Sequence, residues 1–445
     1  MTPVNTSGKV LEGWNPENPE TWDKAIAWRT LTISTFSLTL AFCVWFLVSA
    51  IAPKLNDIGF DLSAGQLYWL AAVPGLSGGI IRLIYMFLPP VLGTRKLIGI
   101  TSLLMVIPML GWGFAVTDPR TPFWVLITLA LMTGIGGGCF SGYMPSTGYF
   151  FPKRMAGTAL GLQAGIGNFG VSLIQLLGPW LMGFGLLGLG FIAPQHDRAA
   201  DAPLWLHNVA FFFVPWAILA AVLAFTLLKD VPVQAKFREQ LDIFGNPNTW
   251  ILTIVYIMTF GAFSGFAAQF ALLINNTFGK ASGFAATHDP ATLPKGAAFA
   301  FLGPLIGSLI RALWGPLCDR FGGAIWTFIC GIGMTVATVV AALYLHPDSP
   351  DDFWPFLIAM LVLFFFSGLG NAGTFKQMPM ILEPRQAGGV IGWTAAIASF
   401  GPFFVGIMLS AMDAQLFFFL CAGFFAIATA LTWIYYARPG APYPG

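Results

Sequence analysis

Twelve stretches of this chain are apolar for about as long as a bilayer is thick. They run at 31–52, 65–89, 97–117, 122–148, 157–187, 207–228, 249–275, 297–316, 323–345, 354–380, 387–411 and 414–436. A helix crosses the hydrocarbon core with about 20 such residues. Only 9% of the residues are charged, where a soluble domain carries about 25%. Such a chain cannot coat itself with charge, so lipid is its solvent. The class is a polytopic, all-α membrane protein.

The remaining composition mainly excludes. The net charge of +2 gives no reason to expect nucleic acid. No basic run interleaves with aromatics, and no nucleotide or phosphate-loop motif is present. The five cysteines show no paired spacing, so buried free thiols are expected rather than disulfides or a metal site. Residues 1–30 are polar and lack a signal peptide's apolar core, so this segment is expected to be retained.

Lys and Arg set the orientation. With the N-terminus inside, inside loops and ends hold 13 of these residues. Outside loops hold 5: Lys54, Arg120, Arg198, Lys280 and Lys295. Both termini are therefore expected to be cytoplasmic. The longest inside connection, "KDVPVQAKFREQLDIFGNPN" at 229–248, is polar and falls between the sixth and seventh spans. The expected organisation is a cytoplasmic segment 1–30, a six-helix half 31–228, a linker 229–248, a second half 249–436 and a tail 437–445.

The two halves repeat. "GGIIR" (78–82) matches "GSLIR" (307–311) at an offset of 311 − 82 = 229. "GIGGGCFSGYMP" (134–145) matches "GLGNAGTFKQMP" (368–379) at 368 − 134 = 234. "GLQAGIGNFG" (161–170) matches "GWTAAIASFG" (392–401) at 392 − 161 = 231. Three matches in order predict two parallel six-helix repeats with a site between them, as in major facilitator transporters. "GPLCDRFGG" (315–323) resembles that superfamily's short loop motif, while its counterpart near "PPVLGTRK" (89–96) is degenerate.

Three charges fall inside these spans: Arg82, Arg311 and Lys376. The arginines occupy equivalent places in the repeats. Each costs roughly 3 kcal/mol at mid-bilayer on insertion scales. All 19 acidic residues, and His196, His207, His288 and His346, lie in loops, terminal segments or at span ends. The counter-ion is therefore expected to be the substrate, a small anion bridging two guanidinium forks. The competing reading is that the arginines bond helix-end carbonyls or snorkel. Two symmetric copies fit it poorly. Lys376, near a span end, is better read as snorkelling than as a gate. Glycines cluster at 134–138, 157–170 and 368–373, which lets helix backbones approach closely. Close packing does not explain Asn168 inside "GIGNFG". A neutral amide beside bare backbone suits a small planar oxyanion.

At "ALGLQAGIGNFGVS" (159–172) and "AGGVIGWTAAIASFGPFFVG" (387–406) the sequence resembles the NarK-type nitrate/nitrite porters, a branch of the major facilitator superfamily. These look like its two nitrate signature segments. "WNPENPETWDKAIAWRTL" (14–31) and "WILTIVYIMTFGAFSGFAAQFALL" (250–273) also look like the family, so the likeness runs from about 14 to 438. The resemblance implies that Arg82 and Arg311 clamp the substrate and that Asn168 lies near the anion. It further implies that Tyr256 and Phe260 line the site, and that Phe140 sandwiches the flat anion. From the residues alone, Phe140 and Phe260 read equally well as core aromatics. The chain departs from the family at "GGGCF", with Cys139 where Asn is expected, and at "SGYMPSTGYF".

The implied function is nitrate uptake in exchange for nitrite by alternating access, in a bacterial inner membrane. The alternative is nitrate–proton symport, which the lack of Asp, Glu or His within the spans disfavours. A channel fits two repeats less well, and a sensor would need a signalling domain that neither 1–30 nor 229–248 is long enough to form. No nucleophile–base set, metal cluster or cofactor motif marks an enzyme. No cofactor is expected. A monomer is expected, since one chain carries both halves.

Overall fold

The computed structural model describes residues 8–185, 192–232, 242–382 and 384–445. Residues 1–7 of the N-terminal segment, the 186–187 end of the fifth expected span and 233–241 of the expected linker lie outside the described residues. Among the described residues, twelve helices are long and apolar enough to cross a membrane. In the first half they are α1 Lys24–Trp45, α2 Ala64–Tyr85, α3 Pro89–Ala115, α4 Phe123–Gly148, α5 Lys153–Leu181 and α6 Asn208–Leu227. In the second they are α7 Pro247–Thr277, α8 Gly296–Cys318, α9 Gly323–Leu343, α10 Pro350–Ile381, α11 Gly388–Ala411 and α12 Ala414–Ala437. With an even number of spans, both chain ends lie on one face. That face is called here the termini face, and the opposite one the far face.

Two helices start well before the apolar runs that announced them. α1 begins at Lys24 because Asp23 caps it, accepting from the backbone N–H groups of Ala25 and Ile26. α3 begins at Pro89 and bends at Gly93, which has φ 73° and ψ 166°. Gly322, between α8 and α9, has φ 85° and ψ 156°. The offset is 322 − 93 = 229, the same as for the two arginines. The degenerate loop and its well-formed counterpart thus share one backbone conformation, in a region that favours glycine. Asp230 fills the space beside Gly93, accepting from Arg95 N at 2.8 Å and pairing with Arg95 Nε at 3.4 Å.

The polar N-terminal segment is folded against the first half. The Leu11 N–H donates to Asp230 O, and the Asp230 N–H donates to Lys9 O, each at 2.9 Å. The indoles of Trp14 and Trp22 donate to the carbonyls of Tyr149 and Phe150 at 3.1 and 2.9 Å. Leu11, Ile26, Leu31, Phe150 and Phe151 are buried beneath it.

The halves meet through α2 against α11 and α5 against α8, two pairs that the repeat exchanges. Small residues bring them close. Gly165 of α5 faces Ala312 of α8, and Gly75 of α2 faces Pro402 and Phe403 of α11. Near the far face, Gln175 of α5 donates to Ala267 O of α7 at 2.8 Å, and Gln269 of α7 donates to Tyr68 O of α2 at 3.4 Å. At the far-face surface Lys54 pairs with Asp57 (3.0 Å) and with Asp197 (2.8 Å) of a hairpin, β1 Gln195–Asp197 and β2 Ala202–Leu204. Lys280 of the second half pairs with the same Asp57. The α7 helix widens to a π-turn at Ile257–Gly261. Such a turn re-aims side chains and recurs at functional sites.

Candidate anion site

Arg82 lies three residues before the end of α2, and Arg311 ten before Phe321, where the helix that carries it ends. Both are therefore nearer the termini face, and both are buried, at 0% and 6% exposure. Arg82 is held from two sides. Its Nε donates to Gly137 O of α4 at 2.7 Å, and its Nη1 reaches across the halves to Ala395 O of α11 at 3.1 Å. Its Nη2 has no hydrogen-bond partner among the described residues. The guanidinium sits over the rings of Phe140 (4.8 Å), Trp45 (5.1 Å) and Phe260 (5.3 Å). Ring faces supply part of the missing negative potential, worth up to about 2 kcal/mol each when desolvated.

Arg311 is bare by comparison. Neither Nη1 nor Nη2 has a hydrogen-bond partner among the described residues. Its guanidinium lies over the ring of Phe375 of α10, at 4.8 Å, and within hydrogen-bonding reach of the Tyr256 hydroxyl. Tyr256 is fully buried and within electrostatic reach of both arginines, which are within reach of each other. Its ring stacks on Phe260 (5.5 Å, interplanar 8°), one helical turn later across the π-turn, and meets Phe375 at 5.4 Å. Phe140 meets Phe375 at 6.2 Å, so the cluster closes on itself.

Asn168 is 0% exposed, and neither amide atom has a partner among the described residues. It lies one turn after Gly165, which packs on Ala312, the residue next to Arg311. An unpartnered buried amide costs about 1–3 kcal/mol, so a ligand that satisfies it is favoured.

The structure therefore brings together Arg82, Arg311, Tyr256, Phe260 and Phe140, and sets Asn168 on the adjoining face of α5. Arg82 also bonds backbone carbonyls, though that of Gly137 lies within α4 and not at the helix end the competing reading named. One nitrogen is still left over. Trp45 and Phe375 were missed. Phe375 sits inside the repeat segment "GLGNAGTFKQMP", which was a signal. Nothing in the local sequence marks Trp45. Cys139 is buried beside Phe140, within reach of Tyr143 and Thr101. Those two share a 2.6 Å hydrogen bond.

Among the described residues, carboxylates within these spans occur only at Asp351 and Asp352, in the first turn of α10. Neither arginine makes an ion pair among the described residues. A small cavity of about 10 Å³ lies between the halves, lined by Trp45, Ser49, Ala71, Pro74, Ala268 and Pro402 among others. Trp45 borders both this cavity and Arg82, so its indole partitions the two. The arrangement can hold a small planar anion between forks and rings.

Residues 34–312 match the family model described as Major Facilitator Superfamily. The chain belongs to the major facilitator superfamily. Within it, a probable nitrate/nitrite antiporter, NarK2, of Thermus thermophilus is 53% identical over 99% of each chain. The nitrate/nitrite transporter NarU of Salmonella typhimurium is 35% identical over 98% of this chain and 97% of its own. This places the chain in the NarK-type branch. Among solved major facilitator structures, a bacterial homologue of the human lysosomal transporter Spinster, inward-facing and unoccupied, superposes with a TM-score of 0.65 at 16% identity. It covers 92% of this chain and 97% of that one.

Proposed function

We propose that this protein exchanges nitrate for nitrite across a bacterial inner membrane, with its termini face cytoplasmic, as a monomer working by alternating access. The observation that carries this is a pair of buried guanidiniums from opposite halves, with N–H groups unfilled and no carboxylate between them. The names of the NarK2 and NarU relatives point to the same substrates.

The chemistry follows from the charges. At an effective dielectric near 20, an anion about 4 Å from a guanidinium gains about 4 kcal/mol. Arg311 offers two nitrogens to one O–N–O edge of a flat anion, and Arg82 offers Nη2 from the other half. Asn168 adds a neutral donor, and the Tyr256 hydroxyl another. Phe140 and Phe260 flank the plane. Binding ties the two halves to one ligand.

The same energies favour exchange. An empty carrier has to occlude two unpaired cations to change sides, whereas a loaded one occludes a partly neutralised cluster. A barrier lower by about 4 kcal/mol makes loaded switching about a thousandfold faster. Swapping one monovalent anion for another moves no net charge. Importing nitrate alone would cost about 2.3 kcal/mol per 100 mV.

The test is nitrate uptake into proteoliposomes loaded with nitrite, nitrate or neither, with and without a pH gradient. Acceleration by internal nitrite, with little effect of the gradient and no uptake by Arg82→Ala or Arg311→Ala, supports exchange. Uptake into empty vesicles that follows an inward proton gradient overturns it in favour of symport.

A further inference from the structure

α10 carries a second buried amide. Asn371 is 1% exposed, and both its Nδ2 and its Oδ1 lack a hydrogen-bond partner among the described residues. Asn168 is the one other asparagine there with both amide atoms buried and unpartnered. An apolar side chain at 371 would spare the fold that desolvation.

The helix register aims this amide at the arginines. Gly368 of α10 packs backbone to backbone on Gly307 of α8, and Gly370 presses on Thr259 of α7 and Cys330 of α9. Asn371 is thus set between α7 and α8. Residues four apart share a helix face, so Asn371 shares a face with Phe375. The Phe375 ring lies 4.8 Å from the Arg311 guanidinium and 5.4 Å from the Tyr256 ring. Asn371 therefore stands one turn from the cluster, on its far-face side. Ser308, one residue past Gly307 and three before Arg311, adds a buried, unpartnered Oγ at the same level.

We infer that Asn371 contacts the substrate and sets the preference for nitrate over nitrite. The inference rests on the reading that the anion sits between Arg82 and Arg311. Nitrate presents three O–N–O edges around one plane, and nitrite presents one. Arg311 takes one edge of nitrate with Nη1 and Nη2, and Arg82 meets a second from the other half with its remaining Nη2. The third edge is met by a neutral donor, which avoids adding a third positive charge to a crowded site. Nitrite seated on either arginine leaves that donor with nothing to meet. A buried donor left unpaired by the wrong ligand discriminates well, because its desolvation goes uncompensated.

The experiment measures nitrate and nitrite affinities separately, by calorimetric titration of purified full-length protein, for wild type and Asn371→Leu. Leucine keeps the volume and removes the donor. The expected result is a loss of about tenfold or more in nitrate affinity, as for one hydrogen bond to a charged group, with nitrite changed less than about threefold. Equal losses for both anions, or unchanged nitrate binding, overturn the assignment. If Asn371→Leu does not yield folded protein, Asn371→Ser carries the same ratio: a reduced nitrate preference supports the inference and an unchanged ratio overturns it. A wild-type protein that binds neither anion overturns the anion site itself. Normal wild-type binding with no ratio change in the variants overturns Asn371 alone.

Discussion

Arg82 and Arg311 hold equivalent places in the two repeats but not equivalent bonds. Arg82 spends Nε and Nη1 on carbonyls of both halves, so its fork is fixed before any ligand arrives. Arg311 has a ring face and the nearby Tyr256 hydroxyl, with Nη1 and Nη2 unfilled. Lysine at 82 carries its three donors on one nitrogen and lacks the spread fork that reaches carbonyls on two helices and an anion together. Arg82→Lys is expected to lower exchange at least about 100-fold in proteoliposomes; near-normal flux would show that the pinning is incidental. Arg311→Leu removes a buried charge that has no partner in the empty protein. Such replacements are often neutral or stabilising. The empty variant is expected to melt no lower than wild type and to gain nothing from nitrate. Wild type gains about 2.7 kcal/mol at a hundredfold excess over Kd. A nitrate-dependent shift in the variant's melting curve would remove Arg311 from the site.

Helix-level packing sorts the glycines into those that bear contacts and those that do not. A methyl at Gly368 lands on the backbone of Gly307, whereas one at Gly161 meets nothing within 4 Å. Gly368→Ala is expected to cost about 1–3 kcal/mol by overpacking, read as a lower melting temperature, while Gly161→Ala leaves it unchanged. This level also shows what the chain discloses in advance. Span number, the arginine pair and Asn168 are legible because hydropathy and a polar residue in an apolar run are direct signals. The early start of α1 is not, because "KAIAWRT" carries two charges that break the apolar run and the helix start depends on the Asp23 cap. Trp45 and Phe375 are hidden among many aromatics of the same character. The carbonyls that pin Arg82 leave no trace, since every residue has one. The Gly93 bend is masked by divergence around a conserved backbone shape, visible only once its φ is compared with that of Gly322.

For the whole molecule, what matters is which contacts span the halves. Asp57 and Lys280 join them at the far face, with Lys54 and Asp197 in support. Partly exposed pairs contribute about 0–1 kcal/mol, enough to bias two states of similar energy. Asp57→Asn is expected to raise labelling of a cysteine placed at Ala71, in the cavity, by a far-side impermeant maleimide about two- to fivefold. No change would mean the pair does not hold this face shut. Burial alone would raise the Asp197 carboxyl, but the hydrogen bond and charge of Lys54 and the N–H groups of Ala199 and Ala200 hold it below its ordinary 3.8. A carboxylate held low stabilises the hairpin above that value and ceases to as pH falls through the lowered one. Intrinsic hydrogen-exchange rates aside, hairpin protection is expected to be flat from about pH 5 to 8 and to fall only in stronger acid. The scarcity of carboxylates within the spans has a further consequence for the membrane around the protein. Two fixed positive charges repel hydronium, and among the described residues neither arginine has a carboxylate partner to relay a proton. A cell can therefore fill its envelope with copies of this carrier without short-circuiting the gradient that drives its ATP synthesis, and vesicles packed with the empty protein should hold an imposed pH difference as long as bare lipid does.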